Sequence, residues 1–287
     1  MNAEQAFVAI ARSCVEQIRG NENGAARDHD PDSVHQMRVG LRRLDAAFTL
    51  FRPLLHSPPA LTTERNWLMD QLDPVRDWDV FVDATLPKVV RAMPEQGALE
   101  HLAAAARQHR GIVHQHLGAE LTSLRFATLI SSLQHWLAQR GWRDELTVKE
   151  CKRLECKVTI FADTALHSAN QRMHKRARKL KQATARQRHR LRIAVKRARY
   201  AAEFFTSLYP GKGLLRYQHA LASLQDQLGA TNDTAVALRL LDHMSAGDVQ
   251  LGEGVAMVRG YLVAADQWRV RGVRKRWRQV RALALPH

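Results

Sequence analysis

The 287-residue sequence is short of cysteine, of aromatic side chains and of long apolar runs, and each shortage removes a class of protein. Three cysteines, Cys14, Cys151 and Cys156, do not make a disulfide framework and point to a reducing compartment. Cys151 and Cys156 lie five positions apart with no Cys/His knuckle beside them, so no zinc site is expected, nor any other metal or cofactor. No apolar run approaches the roughly 20 residues of a membrane span, and the N-terminus lacks a basic-then-apolar signal. A cytoplasmic location without a membrane partner is expected. Aromatics make up 6% of the chain, few for a protein that stacks single-stranded bases.

Acid is locally the scarcest of all. Between Gln171 and Ala202 thirteen Lys and Arg meet no Asp or Glu, the first acid being Glu203, and the whole chain carries a formal charge of +16. Such an excess implies a polyanionic partner: nucleic acid, an anionic membrane or a phosphate polymer. With 45% hydrophobic and 25% charged residues the composition is that of a globular protein, and the length allows one large domain or two ordinary ones.

No stretch alternates with period two, so the chain reads as all-α. Ala6, Phe7, Ile10, Cys14 and Ile18 form one stripe of a helix over Ala3–Arg19. Gly20–Asp30 breaks it, and Pro31 and Ser33 signal the next start. There Met37, Leu41, Leu44, Phe48, Phe51 and Leu55 alternate steps of four and three, the pattern of a bundled helix. Pro53 ends it. A helix over Leu61–Leu72 is expected to stop at the turn Asp73-Pro74, with Asp77 capping the next or pairing with Arg76 and Asp79 capping it. Further helices are expected on both sides of Gly118–Ser123, over Asp144–His167, over Leu214–Leu228 and Asp233–His243 around a Gly229–Asn232 turn, and from about Val255. Gly141 suggests a division into residues 1–143 and 144–287.

Two stretches repeat one pattern. Aligning His35 with His189 matches Arg38 with Arg192, Leu41 with Val195, Arg42 with Lys196, Arg43 with Arg197 and Phe51 with Phe205. A nearly equal shift pairs Leu72 with Leu228, Asp77 with Asp233 and Val80 with Val236. Two elements repeating in order imply duplicated halves. On each motif helix the cations lie on a face away from the apolar stripe: His35, Arg38 and Arg42 in the first, and Lys181, Arg188, Arg192, Lys196 and Arg199 in the second. The row over His189–Arg199 would run about 15 Å, suiting a linear anion. Guanidinium offers a fork for two phosphate oxygens, and ammonium a compact charge that tolerates a shifting ligand. His174, Lys175, Arg178 and Lys181 are expected to extend the track, as are Lys152 and Arg153. The arginines between Arg269 and Arg281 form a second cluster, equally well read as a solvated face.

Chemistry finds no foothold in the sequence. There is no Gly-rich phosphate loop, no His-Glu-x-x-His and no nucleophile elbow, so no catalytic residue is assigned.

The motifs His-x-x-Arg-x-x-x-Arg-Arg at His35–Arg43 and His-x-x-Arg-x-x-x-Lys-Arg at His189–Arg197, running into Arg199-Tyr200-x-x-Glu203, together with the Leu-x(4)-Asp pairs at Leu72–Asp77 and Leu228–Asp233, resemble the CHAD family, the conserved histidine α-helical domain. The resemblance implies two pseudosymmetric four-helix bundles that bind inorganic polyphosphate through a basic surface and central pore, often at polyphosphate granules. Asp45 stands where many relatives have a base. The Glu-x-Glu-x-Lys signature of the triphosphate-tunnel domain often fused to this family is missing. The expected function is therefore non-enzymatic polyphosphate binding, with RNA or DNA binding as the main rival and polyphosphate processing as a lesser one.

Overall fold

The computed structural model describes residues 1–94, 96–178, 180, 183–283 and 285, with side chains described except at 185, 230–232, 247, 249 and 266–271. The chain is all-α. In order the helices are α1 (Ala3–Gly20), α2 (Glu22–Ala26), α3 (Pro31–Phe51), α4 (Pro59–Val80), α5 (Leu86–Ala92), α6 (Gly97–Leu121) and α7 (Leu124–Gln139), then α8 (Val148–Leu154), α9 (Val158–Ala177), α10 (Ala185–Phe204), α11 (Gly213–Gly247) and α12 (Gly252–Arg281). A π-helical turn over Phe81–Thr85 joins α4 to α5. No described helix is long and apolar enough to cross a membrane.

Helix starts follow local chemistry. Asp30 caps α3, its carboxylate accepting from the amides of Asp32 and Ser33, while Pro31 occupies the first turn, where its missing amide costs nothing. Thr184 and Gln187 form a reciprocal capping box on α10. The Gly20–Asp30 break contains α2, and the segment read as one helix over Asp144–His167 is divided between α8 and α9.

Two sequence expectations fail in the same way. No turn interrupts the chain at Asp73-Pro74 or at Gly229–Asn232; α4 and α11 run straight through. In α4 the buried residues Leu68, Leu72, Val75 and Trp78 keep helical spacing across the proline. Pro74 itself is exposed, so the carbonyl left without its amide faces water. Tertiary burial outweighs the local breaker.

The described apolar residues fall into two cores. The larger gathers residues from Ala3 to Leu285, including the stripes of α1, α3, α9 and α10. The smaller takes Trp78–Ala106 and Ala237–Leu262. Four helices pass from one core to the other: α4 between Val75 and Trp78, α6 between Ala106 and Leu117, α11 between Leu228 and Ala237, and α12 between Leu262 and Val273. Both cores thus draw on residues from either side of position 143. Asp77 and Asp233 lie where α4 and α11 change cores.

Candidate functional site

At that crossing the two motif helices meet. Arg38 and Arg42 of α3 and Arg192 of α10 line a cavity of about 60 Å³ with Asp77 and Val80 of α4 and Asp233, Val236 and Ala237 of α11. Three pairs made by the alignment, Arg38 with Arg192, Asp77 with Asp233 and Val80 with Val236, therefore face one space. Asp77 and Asp79 do not cap a helix start; both lie in the last turn of α4.

Electrostatics at this cavity are strained toward positive charge. Arg38 bonds Asp73 through Nε, and Arg42 reaches the same carboxylate oxygen at 3.4 Å. Lys196 has no carboxylate within ion-pair distance among the described residues. Burial first, then the guanidinium groups of Arg42, Arg192 and Arg38, pull its pKa down to about 7, with Asp73 opposing. Burial likewise lowers Arg42 and Arg192. Asp77 is raised by burial, with Arg38 countering, and Arg239 approaches its carboxylate at 3.8 Å. Among the described residues the buried Nε of Arg192 and Nδ1 of His35 have no hydrogen-bond partner. Burial, with Arg76 and Arg38 nearby, holds His35 below its ordinary value. An unsatisfied guanidinium N–H of Arg192 beside a lysine without an ion pair among the described residues forms a place where an anion gains contacts rather than losing them.

The other expected residues are spread more widely. Arg43 turns from the cavity to Gln17 at 3.0 Å and Glu203 at 3.6 Å, joining α3 to α1 and α10. Arg199 donates to Gln225 at 3.0 Å and pairs with Glu203 at 3.4 Å. Arg188 donates to the Ala183 carbonyl at 2.7 Å, securing the start of α10. His189 is exposed, unlike His35. His174 packs its ring against Trp277 at 4.9 Å between centroids. Burial and then Arg281 lower its pKa, so it does not continue an exposed track. Lys152, Arg153, Lys175, Arg178 and Arg197 are exposed, and Arg153, Lys175 and Arg197 border a separate, larger cleft. Lys181 lies outside the described residues. The side chains of Arg269 and Arg271 do so as well.

Sequence reasoning missed the carboxylates in the cluster. Asp73 and Asp77 looked like turn and cap residues because they flank a proline. The signal available was the pairing of Asp77 with Asp233, which a purely local capping role does not require.

No curated relative matches the chain. Among solved structures, the CHAD domain from the plant Ricinus communis is similar at 33% identity and a TM-score of 0.87, over 100% of this chain and 94% of that one. PptA from Streptomyces chartreusis shares the fold at 13% identity and a TM-score of 0.70, over 97% and 100% of the two chains. With the CHAD domain model matching residues 9–242 as well, the chain belongs to the CHAD family.

Proposed function

We propose that this protein binds inorganic polyphosphate without chemically altering it, and that binding places it in the cytoplasm on polyphosphate granules. The observation that carries this reading is the meeting of Arg38, Arg42 and Arg192 around one cavity, with Lys196 close enough that burial first, and then these three guanidinium groups, bring its pKa down to about 7. Three carboxylates, Asp73, Asp77 and Asp233, share the neighbourhood and offset part of that charge. Asp73 holds Arg38 and Arg42 in place, and a phosphate chain supplies the charge that remains unmatched. A cavity of about 60 Å³ is too small to enclose a polymer, so it serves as one contact along a chain lying over α3 and α10.

Nucleic acid is the rival. Among the described residues no aromatic ring is largely exposed, so a stacking platform for bases is not on offer. The test is calorimetric titration with long-chain polyphosphate, comparing wild type with Arg192→Glu/Lys196→Glu after circular dichroism has shown equal helicity. Two charge-assisted contacts worth about 1.5 kcal/mol each correspond to roughly hundredfold weaker binding. Unchanged affinity refutes the site. Displacement of polyphosphate by RNA or DNA at equal phosphate concentration favours the rival, and shortening of the polymer with Mg²⁺ favours an enzyme.

A further inference from the structure

A second surface has the wrong chemistry for polyphosphate alone. A cleft of about 1250 Å³ opens between α3, α9 and α10. Its floor and walls include Ile160, Phe161, Ile193 and Leu50, with Ile160 60% and Ile193 38% exposed. Its border carries seven Lys and Arg, and none of the described lining residues is acidic. Inorganic polyphosphate has no apolar surface to set against the isoleucines. Water-exposed β-branched side chains ringed by cations match an occupant that is apolar along one line and anionic beside it.

The shape narrows the choice. On α9 the lining residues recur at Phe161, Ala165, Ser168, Arg172 and Lys175, one face held for about four turns and about 21 Å. Ala165, Ala169, Ala194 and Ala201 line the same cleft, and small side chains let another backbone approach closely. An extended peptide adds to a sheet edge, and no described residue lies in a named strand. A bilayer surface needs apolar groups that protrude, whereas these border a recess. The volume exceeds the usual range of about 300–1,000 Å³ for a single small ligand.

We propose that this cleft docks an amphipathic helix of about 16 residues from a partner protein, with an apolar stripe on Ile160 and Ile193 and Asp or Glu flanks on Arg172, Arg176, Arg190 and Arg197. The helix completes a bundle with α3, α9 and α10. Attached to a polyphosphate-binding body, such a seat recruits an acidic protein to the polymer without competing for the central cations.

The test is selection on the full-length protein from a displayed library of 16-residue peptides with a fixed helical apolar stripe and flanks randomised among Glu, Asp, Gln and Lys. Enriched peptides are expected to carry acidic flanks. Their scrambled counterparts, and binding to Ile160→Glu/Ile193→Glu, should be at least tenfold weaker. A second variant, Ala169→Trp, fills the cleft without touching its charge and should weaken binding similarly. Polyphosphate titration of Ala169→Trp, which leaves the charge untouched, should be unchanged, and the peptide readout stands whether or not polyphosphate binds. Failure to enrich any peptide, or enriched peptides indifferent to both variants, overturns the proposal. So does phosphatidylglycerol-vesicle binding that both variants abolish in the absence of peptide binding.

Discussion

Lys196 is the residue whose charge state the fold controls most directly. Its pKa of about 7, set by burial and by the neighbouring Arg42, Arg192 and Arg38, means that it is protonated below neutrality and neutral above. A bound polyanion favours the protonated form, so binding takes up a proton and affinity falls as pH rises through 7. The expected loss between pH 6 and 9 is about tenfold, one charge contact's worth. His35, already held below its ordinary value, adds charge only on the acid side of this window. Lys196→Arg should flatten the pH profile, and calorimetry at three pH values checks it. Arg199 is a contrasting case. Its bonds to Gln225 and Glu203 make it a brace between α10 and α11, so Arg199→Ala should lower the melting temperature more than it weakens binding.

Two polar contacts hold helices in place at points the apolar stripes do not reach. Asp79 of α4 and His114 of α6 are both buried and meet at 2.8 Å where those helices pass between the cores. Removing one leaves the other unpaired away from water, so Asp79→Ala should cost about 2 kcal/mol in chemical denaturation. Asp79→Leu/His114→Leu should recover most of that loss, because no polar group is then stranded. Buried Glu4 of α1 receives Arg143 through two bonds of 2.7 Å and Trp142 at 2.9 Å, tying the first helix to the segment after α7. The Arg143 bonds hold the Glu4 carboxyl below its ordinary value despite burial. Its contribution is therefore full above the unfolded value near 4.5 and is lost as pH falls through the lower folded pKa. Glu4→Gln should lower stability at pH 7 by about 2 kcal/mol and flatten that acid limb, as urea titrations at pH 3 to 7 will show.

At the scale of the molecule, a charge of +16 is a liability that a polyanion relieves. If Arg38, Arg42, Arg192 and Lys196 each neutralise one phosphate, the logarithm of affinity should fall against the logarithm of salt with a slope on the order of −3, taking about −0.7 per contact for a single-stranded polyanion. Exposed cations elsewhere steepen the slope for long polymers, so polyphosphates of a few units should show the shallower dependence. Equal slopes for short and long chains would confine contact to the central cluster.

Much of this was legible in the sequence because helical periodicity is a local property. The stripe from Met37 to Phe51, the end of α3 before Pro53, the break between α6 and α7 and the cationic faces of α3 and α10 all follow from residues within a few turns of one another. The pairing of Arg38 with Arg192 and of Asp77 with Asp233 was also present, as repetition. What the sequence could not determine was any outcome decided by burial at a distance. Pro74 and Gly229 look like breakers until two cores are seen to need an unbroken helix between them. That Arg43, Arg199 and His174 have Glu203, Gln225 and Trp277 beside them is equally invisible in their local sequence. Charge and periodicity are written in neighbouring residues, and they settled the all-α class and the two basic helices. Which cations lack a partner depends on what the rest of the chain brings to them, and only the tertiary structure decided that.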